Sequence, residues 1–412
     1  ERLLGEAEQL RAQATAAALR QAIEKYNEAL ALLRKAEDQQ GEANTLNKIG
    51  AAYWQLNENQ KALEYYNQAL PLRRAVGDRA GEALAFNDIG TAYGQLGENQ
   101  KALEAHNRAL RIWREVGNRQ NEGASLYNIG VIYWQLGEYQ KALAYYDQAL
   151  PIWRMVGYRQ GVASALNAIG VAYDRLGKLR EAISSYLEAL AEDRALRNRQ
   201  HEASVLGNLA NSYQYLGEFQ KALDYYNQAL ALARTLEDRR TEATALSNAG
   251  VVFWQLGEPQ KALEYFTQAL PLRRATGDRY GEVSTLTNIG LANWSLDKPQ
   301  KALEYYNQAL SLARAIADRR GEASALNNIG TICLFLNDPQ KALEYGNQAL
   351  PLRRTLGDRL GEAVTLSQIG KSYVSLGKPE QAFSYLEQSL SLERAVGDKR
   401  HEQETLQTLA RA

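Results

Sequence analysis

The chain has 412 residues, and its 48 Lys and Arg are balanced by 48 Asp and Glu, so the formal net charge is zero. A nucleic-acid-binding protein usually has a basic excess or a basic stripe, and this sequence has neither, so we expect no nucleic-acid partner. No segment approaches about 18 consecutive apolar residues and no signal-peptide pattern occurs, so we expect no membrane span and no membrane partner. The single cysteine, Cys333, excludes an internal disulfide framework and indicates a reducing, cytoplasmic compartment.

One forty-residue pattern returns along almost the whole chain. It is first complete in residues 41–80 and recurs in every block through residue 400, without insertion or deletion. A fixed period of this length predicts a solenoid, in which each unit buries its core against its neighbours. Each unit is predicted to contain two antiparallel helices, which we call the first helix and the second helix.

The two ends of the chain depart from this pattern. Residues 1–40 are interpreted as a degenerate cap helix followed by the second helix of an incomplete unit, because only 17–36 keep the apolar spacing of the repeat. Residues 41–400 make nine forty-residue units, and 401–412 begin a truncated first helix of a further repeat. Because the chain starts at Glu1 rather than Met and stops inside a repeat, we interpret it as part of a longer protein.

Residues 81–120 illustrate a typical unit. Apolar residues spaced three or four apart predict a first helix over 82–96 and a second helix over 101–116. Gly97 is expected to end the first helix in the left-handed conformation. The aspartates expected to cap the N-termini of first helices are Asp78, Asp238, Asp278, Asp318, Asp358 and Asp398.

The eight prolines occupy two positions in the second helices. Pro259, Pro299, Pro339 and Pro379 stand at the predicted helix start, which tolerates proline best. Pro71, Pro151, Pro271 and Pro351 fall inside the predicted helix. Each internal proline removes one backbone hydrogen bond, so we expect a kink there, without a break because the apolar pattern continues.

The residues that carry a family resemblance in this unit are Ile89-Gly90, Tyr93, Gly97, Ala102 and Ala109. They stand at the spacing of the tetratricopeptide repeat, and the chain resembles that family over about residues 17–412. Its units have 40 residues instead of the usual 34 or so, similar to the long repeats of kinesin light chains, LGN-type adaptors and bacterial arrays that precede a caspase-like, CHAT-type peptidase domain. The resemblance implies an all-α, right-handed α-solenoid (superhelix) of helix-turn-helix units, whose first helices line a concave groove that holds a peptide or protein segment.

Asparagines at two adjacent first-helix positions are the candidate peptide-binding residues, and we call them the asparagine ladder. One position holds Asn128, Asn208, Asn248, Asn288 and Asn328, and the position before it holds Asn87, Asn167 and Asn327. Both positions lie off the core stripe of Phe86, Ile89 and Tyr93, so we expect them to face the groove. An amide carries a donor and an acceptor and can bind a peptide backbone without reading its sequence, as the resemblance to the adaptor families also implies. The alternative is that these asparagines hydrate the surface or bond the neighbouring repeat.

Candidate catalytic residues are few. His106 and Cys333 each replace a tyrosine found in other units, so both are interpreted as core-filling side chains. The sequence has no phosphate-binding loop and no metal-ligand spacing, so we expect no enzyme activity, no cofactor and no metal site.

Charged and aromatic residues also recur at fixed positions. Arginine at one position of all ten second helices and glutamate just after the following turn predict a ladder of ion pairs that sets the register between repeats. The tryptophans fall in two sets, Trp54, Trp134, Trp254 and Trp294 on first helices and Trp113 and Trp153 on second helices. We interpret both sets as packing between repeats, with groove-lining aromatic anchors as the alternative.

Two regions break the pattern. Between residues 158 and 201 Glu192 replaces a core leucine, with Asp193 beside it, and Asp174 replaces a tryptophan of other units, which indicates a contact particular to this unit. Between residues 293 and 346 three aromatic positions become Asn293, Cys333 and Gly346. Losing a buried ring without refilling the space typically costs about 3–5 kcal/mol, so we expect a local soft spot that acts as a hinge or as a pocket for a partner side chain.

These observations predict a protein–protein interaction scaffold that binds an extended peptide or protein segment in its concave groove. The alternative is a regulatory or sensor arm of a larger effector, such as one with a caspase-like peptidase domain C-terminal to residue 412. A third hypothesis is self-association through exposed terminal repeats, since a truncated last helix leaves Leu406 and Leu409 uncovered.

Overall fold

The structure, a computed structural model, describes residues 1–410, and within that range it contains 21 α-helices and no strand. The helices are α1 Arg2–Ala12, α2 Ala16–Lys35, α3 Gln39–Gln55, α4 Asn59–Ala75, α5 Arg79–Gln95, α6 Asn99–Glu115, α7 Arg119–Gln135, α8 Tyr139–Met155, α9 Arg159–Arg175, α10 Leu179–Leu196, α11 Arg199–Tyr215, α12 Phe219–Thr235, α13 Arg239–Gln255, α14 Pro259–Ala275, α15 Arg279–Ser295, α16 Pro299–Ala315, α17 Arg319–Phe335, α18 Pro339–Thr355, α19 Arg359–Ser375, α20 Pro379–Val396 and α21 Lys399–Leu409. Odd-numbered helices are first helices and even-numbered ones are second helices, so the predicted all-α solenoid of paired helices is confirmed. The predicted truncated helix over 401–412 falls on α21, and its last two residues lie outside the described residues.

The helix ends follow from the capping residues that the sequence predicts. The Asp78 side chain accepts a hydrogen bond from the Gly81 backbone N–H over 2.8 Å, and α5 therefore begins at Arg79, three residues before the predicted start. Gly97, with φ +75°, lies in the left-handed region after the last turn, as expected. The N-cap role is confirmed for all six predicted aspartates, Asp78, Asp238, Asp278, Asp318, Asp358 and Asp398.

The prolines behave as predicted at both positions of the second helices. Pro259, Pro299, Pro339 and Pro379 are each the first residue of a second helix. Pro71, Pro151, Pro271 and Pro351 lie inside α4, α8, α14 and α18, which continue through them. The absence of a break is thereby confirmed, and the kink stays a prediction.

A ring packed against a glycine holds the two helices of a unit together. A Cβ atom added to Gly50 would lie 2.5 Å from the ring of Tyr66, so only glycine allows this approach. The same contact joins Gly130 to Tyr146 and Gly290 to Tyr306. The rings are buried, so this contact closes the packing between the two helices of a unit. His106 takes the ring position against Gly90 and is buried, which confirms its core-filling role.

The chain divides into two compact units, residues 1–212 and the residues from Tyr213 onward. In the first unit α3 contacts α5, α5 contacts α7 and α7 contacts α9, and no comparable contact joins α4 to α6 or α6 to α8 in the described residues. In the second unit α13, α15, α17 and α19 contact one another in the same way. Within each unit, the first helices therefore form the side on which successive repeats approach most closely, and we call it the first-helix face.

The predicted ion-pair ladder is present. Arg74 Nε lies 2.7 Å from Glu82 Oε1, so the second helix of one repeat is bonded to the first helix of the next. The equivalent pairs are Arg34–Glu42, Arg114–Glu122, Arg194–Glu202, Arg234–Glu242, Arg274–Glu282, Arg314–Glu322, Arg354–Glu362 and Arg394–Glu402. Since the arginines are about half exposed, each pair is worth only about 0–1 kcal/mol, and its regular geometry serves register more than stability.

At Gly346, in the region where three rings are missing, side chains of the next repeat fill the space. Gln368, on the first helix of the next repeat, donates from Nε2 to the Ala342 carbonyl oxygen over 3.2 Å, and its amide lies where a ring would sit. Ile369 packs against Gly346 from the same helix, with its Cγ1 2.7 Å from an ideal Cβ there. The expected pocket at Gly346 is therefore wrong, because the next repeat fills the space. The expected local softness stays a prediction.

Candidate functional site: the first-helix face

The residues that line a cavity on the first-helix face show which side-chain positions of a first helix point to that face. The cavity has a volume of about 650 Å³ and lies between α1, α3 and α5. Its lining includes Asn44, Asn47, Lys48 and Ala51, which are spaced three, one and three residues apart and so share one side of α3. Asp88, forty residues after Lys48, lines it from α5. The two ladder positions are the positions of Asn47 and Lys48, so both face this cavity in the first repeats.

The forty-residue period carries the same orientation to the other units. Asn128, Asn208, Asn248, Asn288 and Asn328 occupy the position of Lys48, and Asn87, Asn167 and Asn327 occupy the position of Asn47. All eight side chains are half-buried. By contrast, the residue that follows each asparagine of the Lys48 position is buried in the core. The ladder therefore borders the core on the first-helix face of each compact unit.

Several ladder asparagines bond the neighbouring repeat. Asn87 Oδ1 accepts a hydrogen bond from Ser125 Oγ over 3.0 Å and lies 3.2 Å from His106 Nδ1. Asn208 Nδ2 donates to Asn167 Oδ1 over 3.1 Å, so two members of the ladder bond each other. These bonds tie consecutive first helices together, which is the alternative role that the sequence left open.

Two further ladder residues also have side-chain partners. Asn327 Oδ1 accepts from Thr365 Oγ1 over 3.4 Å, again from the next repeat. Asn248 is hydrogen-bonded to the hydroxyl of the buried Tyr226. Five of the eight ladder asparagines are thus engaged inside the protein.

Asn128, Asn288 and Asn328 differ from these five. None of them has a side-chain hydrogen-bond partner within residues 1–410, and each is half-buried with its amide reachable from outside. A free amide on a partly dried surface offers one donor and one acceptor group to an incoming backbone. Asn128 lies in the first compact unit, and Asn288 and Asn328 lie in the second.

The cavity carries charges of both signs. Arg11 and Lys48 both contact Glu8, at 2.9 and 2.8 Å, and Arg73 Nη1 lies 2.5 Å from Asp78 Oδ2. Burial raises the pKa of Asp88 to about 6, against the opposing effects of a hydrogen bond from Asn47 and the charge of Arg73. The net charge of the cavity therefore changes in mildly acidic solution.

The two sets of tryptophans differ in how far they are buried. Trp113 and Trp153 are buried, which confirms their packing role. Trp54 and Trp254 remain 38% and 37% exposed on first helices, although the Trp254 indole N–H donates to Ser295 Oγ of the next repeat over 3.0 Å. The role of aromatic anchor for the first-helix set stays a prediction.

The polar block between residues 158 and 201 is largely satisfied from within. Asp174 accepts hydrogen bonds from Tyr186 Oη at 2.8 Å and from Ser212 Oγ at 2.7 Å. Asp193 is fully buried and lies 2.6 Å from His201 Nδ1. These acids hold repeats together, and a separate partner contact in this block stays a prediction.

Sequence reasoning overlooked Asn47 and Asp88. Asn47 Nδ2 donates to Asp88 Oδ2 over 3.1 Å, between the same two positions as Asn167 and Asn208 but with donor and acceptor exchanged. The signal was present, because polar residues 41 positions apart occupy the two ladder positions of consecutive repeats in both pairs. Position 88 carries an aspartate in place of the ladder asparagine, so residue type alone does not reveal this pair and the 41-residue separation does.

Cys333, the single thiol of the chain, lies on the first helix α17. Cys333 is buried, and burial raises the pKa of its thiol, which opposes nucleophilic activation. No group of His, Cys, Asp or Glu in the described residues could hold a metal ion. Among the same residues, no helix is both long and apolar enough to cross a membrane.

Solved structures with the same fold are numerous. The quorum sensor NprR from B. thuringiensis, in its apo form, is 17% identical with a TM-score of 0.60, covering 88% of this chain and 99% of that one. The apo form of RapI is 20% identical with a TM-score of 0.53, covering 67% of this chain and 99% of that one. A signal transduction ATPase with numerous domains (STAND), PH0952 from Pyrococcus horikoshii, has a tetratricopeptide repeat sensor and is 16% identical, with a TM-score of 0.61 and coverage of 86% of this chain and 54% of that one. At these identities the likeness concerns the fold.

The comparison with family models is decisive for the family. A search of curated protein sequences returned no match. One model of the tetratricopeptide repeat matches residues 10–75, 41–115, 81–155, 121–195, 201–275 and 281–355, and a second matches 363–396. Such a solenoid is typically a non-catalytic fold for protein interaction. The matches cover most of the sequence, and the chain belongs to the tetratricopeptide repeat family.

Proposed function

We propose that the first-helix face binds an extended polypeptide segment through backbone hydrogen bonds. The observation that carries this proposal is the set of free, half-buried amides of Asn128, Asn288 and Asn328 at the position that lines a cavity in the first repeats. An extended segment has unpaired N–H and C=O groups at regular intervals. Asn288 and Asn328 stand at equivalent places on the successive first helices α15 and α17 and match that requirement in the second unit. Asn128 on α7 offers the same group in the first unit, and the residues around these amides set side-chain preference.

The engaged asparagines support the same function indirectly. The bonds from Asn87 to Ser125 and from Asn208 to Asn167 fix neighbouring first helices relative to each other. A face that is fixed before binding avoids part of the ordering cost of association. The ladder therefore has two roles, with some members stabilising the face and others contacting the ligand.

A second candidate function is that of a sensor arm in a longer effector protein, for example one with a caspase-like peptidase domain following this segment. The observation that favours it is the similarity to the STAND protein, which has a tetratricopeptide repeat sensor and of which the match covers 54%. In that case binding on the first-helix face is the signal that the arm transmits. Reading the open reading frame beyond residue 412 distinguishes an isolated scaffold from such an arm.

An affinity capture with matched variants tests the binding proposal. The first variant replaces Asn128, Asn288 and Asn328 by Ala, and the control replaces Asn107 and Asn307 by Ala. The control residues lie on second helices and donate to the carbonyl oxygens of residues four earlier, so they remove the same chemistry away from the proposed face. Captured proteins are identified by mass spectrometry, and folding is checked by circular dichroism.

We expect a partner that is retained by the wild type and the control and lost by the first variant. Retention by both variants alike would move binding away from the free amides and refute the proposal. A third variant, Asn167→Ala with Asn208→Ala, should weaken binding less, because it loosens the face without removing a ligand contact.

A further inference from the structure

A second cavity in the first unit lies between α4, α5 and α6, and no ladder asparagine lines it. It has a volume of about 350 Å³ and is lined by Phe86, Tyr93 and Ala105, with Arg74, Lys101 and Arg108 at its rim. An apolar cavity of about 150 Å³ already accepts a benzene molecule. The space is therefore large enough for an aromatic side chain, and it lies away from the asparagine ladder.

The cavity is the place of a missing ring. Seven of the nine complete units have tyrosine where this one has Ala105, and Ser185 is the other exception. In the units that keep both rings, the tyrosine stacks on the first-helix tyrosine, as in Tyr53–Tyr65 with ring centroids 5.4 Å apart. Here Tyr93 has no such ring to stack on among the described residues, although Phe86 replaces the leucine of the other units.

The complete units show how a ring would be held in this cavity. Tyr133 and Tyr145 stack with ring centroids 5.4 Å apart and planes 15° apart. The lysine over the first-helix tyrosine does not obstruct the partner ring, since Lys141 lies 5.3 Å from the centroid of Tyr133 in that complete pair. Lys101 stands over Tyr93 at 5.2 Å in the same way. A phenol entering the cavity would find the ring of Tyr93 in place as a stacking surface.

The charge at the rim specifies a second feature of the ligand. Arg108 stands where the other complete units have glutamine or, in one, Glu188. Its guanidinium lies 5.6 Å from the centroid of Phe86, and it forms no ion pair within the described residues. Glu104 also borders the cavity and does not pair with it. By contrast, Arg74 is bonded to Glu82, so Arg108 is the rim arginine available to an anion.

We propose that this cavity binds the tyrosine side chain of a partner polypeptide that carries an acidic residue next to that tyrosine. The ring stacks on Tyr93 in the place of the missing tyrosine, and the carboxylate pairs with Arg108. The unit with Ser185 is not expected to bind the same ligand, because its rim residue Glu188 is an acid that is paired with Arg154 at 2.7 Å. This site is separate from the proposed function of the first-helix face, and either could exist without the other.

The test uses ligand-observed NMR with the whole chain and two blocked dipeptides, N-acetyl-tyrosyl-glutamic acid amide and N-acetyl-tyrosyl-glutamine amide. Ala105→Tyr fills the cavity with the side chain that seven other units have there. Arg108→Gln gives the rim the residue of most other units. Arg111→Gln is the matched control, because it removes an exposed arginine from the same helix that does not line the cavity.

We expect the wild type and Arg111→Gln to bind the acidic dipeptide in preference to its amide analogue. Ala105→Tyr should bind at least about tenfold more weakly, and Arg108→Gln should lose the preference for the acidic dipeptide. Absence of binding to the wild type, equal binding to Ala105→Tyr, or a preference that persists in Arg108→Gln would each overturn the proposal. If circular dichroism shows that Ala105→Tyr is unfolded, the preference measured on Arg108→Gln decides alone.

Discussion

In one unit the amide of Gln368 fills the space that a tyrosine ring fills in the preceding unit, and restoring the tyrosine at position 346 tests this replacement. In the preceding unit the ring of Tyr306 packs against Gly290, and the residue 22 positions later is Asn328. In the exceptional unit the corresponding residues are Gly346 and Gln368. A Cβ atom on Gly330 would overlap the Gln368 Nε2, so the amide occupies the place of the ring.

Each single substitution should destabilise this region. Gly346→Tyr forces a ring into the space of the Gln368 amide, and overpacking of this kind costs about 1–3 kcal/mol. Gln368→Asn withdraws the amide by one methylene, which loses the bond to the Ala342 carbonyl, worth about 1 kcal/mol, and about 0.8 kcal/mol of burial. The double variant recreates the arrangement of the preceding unit, so it should recover most of both losses. The expected coupling free energy is about 2–5 kcal/mol in favour of the pair.

The assay must be local, because a long repeat array does not unfold in one step. Hydrogen exchange measured by mass spectrometry on peptides from α17 to α19 reports the opening free energy of these helices. Asn328→Gln is the control, since the reverse exchange of Asn and Gln in a unit that has its ring should show no comparable effect. Losses that simply add in the double variant, within about 0.5 kcal/mol, would refute the view that Gln368 replaces the ring.

Three further predictions concern pH and the aromatic residues. Burial raises the pKa of Asp88 to about 6, so the contribution of this residue to stability is full below about pH 4 and is lost as the pH rises through 6. Asp88→Asn should therefore flatten that part of the pH dependence of thermal unfolding, by at most about 3 kcal/mol. Burial lowers the pKa of His106 to about 4, so its contribution is lost as the pH falls from about 6.5 to 4, and His106→Tyr should remove that acid sensitivity in the same melting experiments. Trp113→Ala should cost about 3–5 kcal/mol in the local opening free energy, whereas Trp254→Ala, on a partly exposed ring, should leave it within about 1 kcal/mol and instead weaken partner capture. An unchanged capture with Trp254→Ala would leave that residue a packing role alone.

The parts of the fold that were predictable from sequence depend on chemistry within one unit. An aspartate followed by a helical period and a glycine with positive φ are local signals, and Asp78 and Gly97 act as their residue types dictate. The burial of His106 follows equally from its position in the period. In each case the residues within about one helical turn determine the local conformation, so the nearby sequence is enough to predict it.

What could not be predicted depends on pairs in different units. Asn87 is engaged because Ser125, 38 residues later, supplies a hydroxyl, whereas Asn128 finds no side-chain partner in the described residues. The pair Asn327 and Thr365 has the same separation of 38 residues. Single positions therefore cannot distinguish a ladder residue that binds its neighbour from one that is free, and the separation between repeats has to be considered as well.

The departures from the repeat differ in whether the neighbouring units compensate for them. At Gly346 the lost ring is replaced by Gln368, and at Gly90 the ring position is kept by His106, so both places remain closed. At Ala105 the lost ring leaves a cavity, and the two changes nearby, Phe86 and Arg108, line it without filling it. An array in which every unit has the same template makes an uncompensated space easy to recognise, because the missing atoms are known from the other units. That difference is the physical reason to assign packing to Gly346 and ligand binding to Ala105.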